Sequence, residues 1–210
     1  MQEPRADFLF VLILGILSML TPLAIDMYLP AFLNIANDFS VSQEKIQTTL
    51  ALFTFGFAFG QLFWGPLSDS YGRKPIILIG IVVSALVSLG IIQVKHIEHF
   101  YALRFVQGFF GASPAVVTGA LLRDLFAKNE FARQMSMIMI VTMIAPLLAP
   151  VLGGYLTDWF HWHIIFYVLM VLGLLAALLV SYKIPETLPK FKRVPLKIGN
   201  TLRIYGKLLS

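Results

Sequence analysis

Six stretches of this chain are long and apolar enough to cross a bilayer, at approximately 8–30, 46–67, 75–94, 100–122, 134–157 and 163–182. A helix needs roughly 20 residues to cover the hydrocarbon core, and every backbone polar group there must be satisfied internally. The choice is therefore a helical bundle or a closed barrel. Barrel strands alternate over about 10 residues, whereas Ile76–Ile92 and Ile164–Val180 are continuous apolar runs. Only Asp26 and Arg104 place a formal charge inside any of the six windows. With 13% charged residues, against about 25% in soluble domains, the chain lacks the means to coat a water-facing surface. The expected fold is all-α, with six transmembrane helices. Span 1 is expected to remain as a helix: its flank, Gln2–Asp7, is not basic, and its apolar run outlasts that of a signal peptide.

Charge placement sets orientation. Arg5, Arg73, Lys74, Arg123, Lys128, Arg133 and the seven basic residues from Lys183 to Lys207 put thirteen on one side. Lys45 and Lys95 lie on the other, with Arg104 inside a span. The positive-inside rule places the richer side, and both termini, in the cytoplasm. Residues 1–184 form the bundle on this reading; residues 185–210 are a basic cytoplasmic tail or the start of a linker. The net charge of +5 is thus accounted for by topology and anionic lipid, and no nucleic-acid partner is expected.

A short repeat divides the bundle. Gly65-Pro66-Leu67-Ser68-Asp69-Ser70-Tyr71 follows span 2, and Gly154-Tyr155-Leu156-Thr157-Asp158-Trp159-Phe160 follows span 5. The two lie on opposite sides of the membrane, as a three-helix unit repeated with inverted orientation requires.

Several residues carry candidate chemistry. In the 2–3 loop, Gly72 suits a tight reversal, Pro75 suits a first helical turn, and Asp69 lies within reach of Arg73. That loop is either a latch between helices, with Asp124 as a further member, or an ordinary solvated turn. Asp26 is costly inside an apolar span, and removal from water favours its protonated form. It is either a proton carrier, a carboxylate hydrogen-bonded to a neighbouring helix, or an interfacial carboxylate just reached by water. Arg104, Gln107 and Gly108 share a helix face, either lining a cavity or serving as a snorkelling anchor with small packing residues. Gly56 and Gly60 in span 2, and Ala145, Ala149 and Gly153 in span 5, permit close helix approach. His96, His99, His161 and His163 fall in two separate loops, and no metal is expected. With no Cys, no Walker loop and no Ser/His/Asp set, neither enzymatic hydrolysis nor a nucleotide-driven pump has residues to run it.

The loop Gly65-Pro66-Leu67-Ser68-Asp69-Ser70-Tyr71-Gly72-Arg73-Lys74 resembles the signature Gly-x-Leu-x-Asp-x-x-Gly-Arg-Lys of the major facilitator superfamily, matching at every specified position. Arg104 with Gln107-Gly108 is similar to that family's span-4 motif. Ala145-Pro146-Leu147-Leu148-Ala149-Pro150-Val151-Leu152-Gly153-Gly154 is similar to the antiporter motif Gly-x-x-x-Gly-Pro-x-x-Gly-Gly, with Ala at its first two glycines. Asp26-Met27-Tyr28-Leu29-Pro30 and Pro185-Glu186-Thr187 resemble the Bcr/CflA branch of drug:proton antiporters. The resemblance covers residues 8–187, one six-helix half of a family with two. It implies proton-driven export of small amphipathic drugs across a bacterial inner membrane, with no cofactor beyond the proton gradient. It also implies that Asp26 and Arg104 couple protons to substrate and that Tyr28, Gln107 and Gly108 line the cavity. Two other readings remain: an importer of a small metabolite, and a half-bundle that transports nothing alone.

Overall fold

The computed structural model describes residues 8–194, and within them the chain is all-helical. The order is α1 (Phe8–Asp26), a 3-10 turn (Leu29–Ala31), α2 (Phe32–Asp38), α3 (Gln43–Tyr71), α4 (Arg73–Ile92), α5 (Ile97–Leu125), α6 (Lys128–Phe160), α7 (His163–Lys183) and a second 3-10 turn (Lys190–Lys192). Six segments qualify as membrane spans, with α1, the first turn and α2 together forming one, Leu9–Asp38. Arg5, and the tail from residue 195 with Lys197, Arg203 and Lys207, lie outside the described residues.

The helices outrun the apolar windows, most of all α6 with 33 residues. At about 1.5 Å per residue such a helix is longer than the hydrocarbon core is thick. Its first turns, from Lys128 to Arg133, are helical but polar, and hydropathy does not register them. Pro66, Pro114, Pro146 and Pro150 all sit inside continuous helices.

Pro30 behaves differently. Its ring excludes a helical bond to the carbonyl four residues back, which is that of Asp26. Here α1 ends. The chain crosses Met27–Ala31 through a 3-10 turn, with Ala31 N–H donating to Tyr28 O at 3.1 Å, and resumes as α2. Span 1 is therefore a discontinuous helix that reaches Asp38.

Packing follows the three-plus-three repeat in part: α4 on α5 is far more extensive than its counterpart, α7 on α1. The most extensive pairings are α3 with α5 and α4 with α5, followed by α1 with α6 and α4 with α7. Exchanging the two units maps span 2 on span 4 (α3·α5) onto span 5 on span 1 (α6·α1). It also maps span 3 on span 6 (α4·α7) onto itself. Small residues make the first two contacts close. Added Cβ atoms at Gly56 and Gly60 would collide with the Phe105 and Phe109 carbonyls, and one at Gly153 with the Met27 carbonyl. The apolar core has one cluster toward the α3–α4 junction (Leu14, Trp64, Ile77, Leu121) and one toward the Asp38 end (Tyr28, Ile46, Phe100, Trp162).

Candidate functional site

The break in span 1 leaves Asp26 at the last helical position of α1, past the midpoint of Leu9–Asp38. The side chain is half-buried. Among the described residues it accepts no hydrogen bond and makes no ion pair. Neighbouring Met27 and Tyr28 turn fully inward. The Tyr28 hydroxyl meets Thr49 Oγ1 at 2.6 Å, and its ring packs edge-on against Phe32, Phe100 and Phe166.

Arg104 lies on the other side of Tyr28. It is wholly buried, at 0% exposure, so it is no snorkelling anchor. Its guanidinium lies over the Tyr28 ring at 4.5 Å and the Phe53 ring at 4.4 Å. Nη1 donates to Gln107 Oε1 at 2.7 Å, and both Nη atoms reach the Ala24 carbonyl at 3.4 Å. Nε is buried and unpartnered among the described residues, and no described carboxylate lies within ion-pair distance. A buried charge without a counterion is costly; the two close cation–π contacts, each worth about 2 kcal/mol when desolvated, and a third to Phe166 at 5.9 Å offset part of that. Arg104 thus touches span 1 less than a turn before Asp26 without neutralising it.

From Arg104 a polar chain runs inward. Gln107 Nε2 donates to Ser88 Oγ at 2.7 Å, and Ser88 donates to the Ser84 carbonyl at 3.1 Å. Thr21, Ser84, Ser88, Gln107 and Gly111 help to line a cavity of about 30 Å³ among α1, α3, α4, α5 and α7, room for a water molecule or two. Of the three residues expected to line a cavity, Gln107 lines this one. Tyr28 belongs to the aromatic cluster. Gly108 does not line this cavity and is a close-packing position, where an added Cβ would meet the Phe53 backbone.

The antiporter-like face of α6 packs on the break. Ala145 and Ala149 are fully buried and Gly153 is buried. Pro150 is half-buried. Gly153 abuts the Met27 backbone and Gly154 faces Pro30. The motif's small residues therefore set how closely α6 approaches the segment bearing Asp26.

At the opposite end the α3–α4 junction is a charge cluster. Gly72, at φ 108 and ψ 158, occupies a conformation that side chains other than glycine's rarely adopt. It lets α4 start one residue after α3 ends. Arg73, at 7% exposure, pairs with Asp69 at 2.6 Å and with Asp124 at 3.0 Å, and donates to Ser68 Oγ at 2.6 Å. Lys74 Nζ donates to the Ser181 carbonyl at 2.7 Å. Gly65 is uncrowded, with only Val116 near an added Cβ.

The sequence did not give Glu186 and Thr187 a role, yet the segment after α7 closes this cluster. The Arg73 N–H donates to Glu186 Oε1 at 3.0 Å, Thr187 Oγ1 donates to Asp124 Oδ2 at 3.2 Å, and Val194 N–H donates to the Asp69 carbonyl at 3.1 Å. Asp69 is half exposed, and an exposed pair contributes about 1 kcal/mol or less. For the transport activity that the resemblance implies, Asp69→Asn in the complete protein is therefore expected to leave abundance and substrate binding near normal while slowing transport. Asp124→Asn, which frees two partners, is expected to slow it more. Unchanged transport by both well-expressed variants would leave the cluster a static brace between helices and not a latch.

Comparison with known proteins shows the family and the fold. Residues 14–208 match the family profile described as Major Facilitator Superfamily. The chain is 57% identical over 199 residues to a bicyclomycin resistance protein homolog of Haemophilus influenzae, covering 95% of this chain and 50% of that protein. It is 34% identical over 180 residues to the multidrug resistance protein MdtL of Klebsiella pneumoniae, covering 86% and 46% respectively. The chain thus spans about half the length of the curated relatives it matches. Two solved structures share the fold: the human organic anion transporter TETRAN (TM-score 0.72, 21% identity, 97% of this chain and 54% of that one) and a D-xylose-proton symporter (TM-score 0.75, 15% identity, 96% and 53%).

Proposed function

The chain belongs to the major facilitator superfamily, and from that premise we propose that it is the N-terminal half of a proton-coupled multidrug exporter of the Bcr/CflA (bicyclomycin/chloramphenicol resistance) type. The family is one of transporters, not enzymes, and the relatives include bicyclomycin- and multidrug-resistance proteins. The observation that carries the finer reading is a half-buried carboxylate, Asp26, with no described partner at the break of span 1, while the buried Arg104 reaches the same span at the Ala24 carbonyl. Asp26 is protonated or engaged with a cationic part of the substrate, not both, and this exclusion couples the two fluxes. Arg104 keeps positive potential beside that choice. A proton moving inward supplies about 2.3 kcal/mol per 100 mV and about 1.4 kcal/mol per pH unit. Small amphipathic drugs suit the aromatic and Met side chains of the bundle. The protein sits in the bacterial inner membrane with both termini cytoplasmic, and a second six-helix half completes the cavity.

That the chain spans half of its relatives favours one further reading, a half-bundle inactive alone. The test uses everted membrane vesicles with an acid interior, carrying this chain either alone or joined to a second half. Accumulation of an amphipathic cationic dye, lost when the pH gradient collapses, is expected for the joined protein. Gradient-independent dye levels, or metabolite uptake in right-side-out vesicles instead, would overturn the exporter reading. Accumulation with the chain alone would overturn the need for a second half.

A further inference from the structure

The end of the bundle opposite Arg73 holds side chains that the transport reading leaves unused. Asp38 closes α2, His161 lies between α6 and α7, and His163, past Trp162, opens α7. His161 Nε2 lies 3.1 Å from Asp38 Oδ2, and its Nδ1 lies 2.8 Å from Nδ1 of His163. One donor atom from each residue lies within 4.8 Å of the other two. Around zinc, with bonds of roughly 2.0–2.2 Å to nitrogen and oxygen, neighbouring donors stand some 3 Å apart. In this cluster, as the rings stand, His161 faces Asp38 through Nε2 and His163 through Nδ1, so it must turn to present one nitrogen to an ion shared with both.

Two further observations separate it from casual proximity. His161 has φ 77 and ψ 151, a conformation that non-glycine residues rarely adopt and that gathers at functional sites. In that conformation its ring stacks on His163 with centroids 4.8 Å apart. Trp162, at 1% exposure, then holds the other two: its Nε1 donates to Asp38 Oδ2 at 2.7 Å, and its ring stacks on His163 at 3.7 Å. A buried residue that orients ligands in this way is the outer-shell support metal sites use. Asp38 and His161 are exposed and His163 is half-buried, so an ion has a way in.

We propose that Asp38, His161 and His163 form a site for a divalent transition metal, with Zn²⁺ held by two imidazoles, a carboxylate and water. His161 supplies a single nitrogen to the ion. The ion would join the outer part of span 1 to the α6–α7 turn. The proposal uses only residues of this half and does not depend on the transport reading.

The untagged full chain, purified in detergent and stripped with chelator, is titrated with Zn²⁺ against a chromophoric chelator. Saturation at one Zn²⁺ per chain is expected, and Co²⁺ is expected to give a visible d–d spectrum from the same site. His161→Gln and His163→Gln are each expected to weaken binding about 10–100-fold, the range seen even for outer-shell changes. Asp38→Asn, an exposed change that spares the fold, is expected to weaken it by about tenfold or more. His96→Gln with His99→Gln, altering the neighbouring outer pair, is expected to change nothing. No saturable binding, or affinity that ignores Asp38, His161 and His163 or follows His96 and His99, would overturn the site.

Discussion

Gly153→Val is expected to strip most of the folded protein from the membrane, whereas Gly154→Val, one residue on, is expected to leave its yield near wild type. An added Cβ at Gly153 collides with the carbonyl oxygen, carbonyl carbon and Cα of Met27. All three are backbone atoms, and no rotamer change relieves the clash. At Gly154 the nearest atom is Pro30 Cβ at 3.9 Å, an ordinary contact. Overpacking of a tight interior typically costs about 1–3 kcal/mol, and here the whole of α6 must withdraw from span 1. That is a large share of a net stability of about 5–15 kcal/mol. Detergent-solubilised yield and thermal unfolding of the two variants, side by side, check it. Equal behaviour would mean that α6 does not rest on the broken segment.

Much of this was legible in the chain. Six apolar windows and the placement of Lys and Arg gave the class, because burying a helix in lipid leaves few options. Gly72, Asp69 and Arg73 were legible because their spacing in a helix junction brings them together. What escaped depends on where distant segments return. Glu186 and Thr187 cap the Arg73–Asp124 cluster only because the chain doubles back after α7. Spacing alone left Arg104 open between a snorkelling anchor and a buried cation. The decision rests with Tyr28, Phe53 and Phe166, three rings from three elements that close over it. Gly108 shares Arg104's face, yet the approach of α3 turns it into a packing position. Asp38 comes to His161 and His163 only through the continuation of span 1 past Pro30, where hydropathy falls but the helix resumes. The break at Pro30 was not read from the sequence, since Pro66, Pro114, Pro146 and Pro150 sit inside continuous helices.

The second large effect is expected at Asp26. Asp26→Asn keeps the shape and most of the hydrogen-bonding capacity but cannot exchange a proton. If Asp26 were structural, neutralising it would be tolerated, since an intramembrane charge is costly to keep. The side chain is half-buried, and no described residue satisfies its carboxylate, so little packing is at stake. Abundance is therefore expected to stay near normal while pH-driven export collapses. Binding of cationic drugs is expected to fall more than that of neutral ones. The direct measurement is drug-induced proton release from proteoliposomes containing the complete transporter, wild type against Asp26→Asn at matched protein levels. The account predicts release on drug addition for the wild type and none for the variant. Undiminished release by the Asn variant would contradict it and move the proton carrier elsewhere.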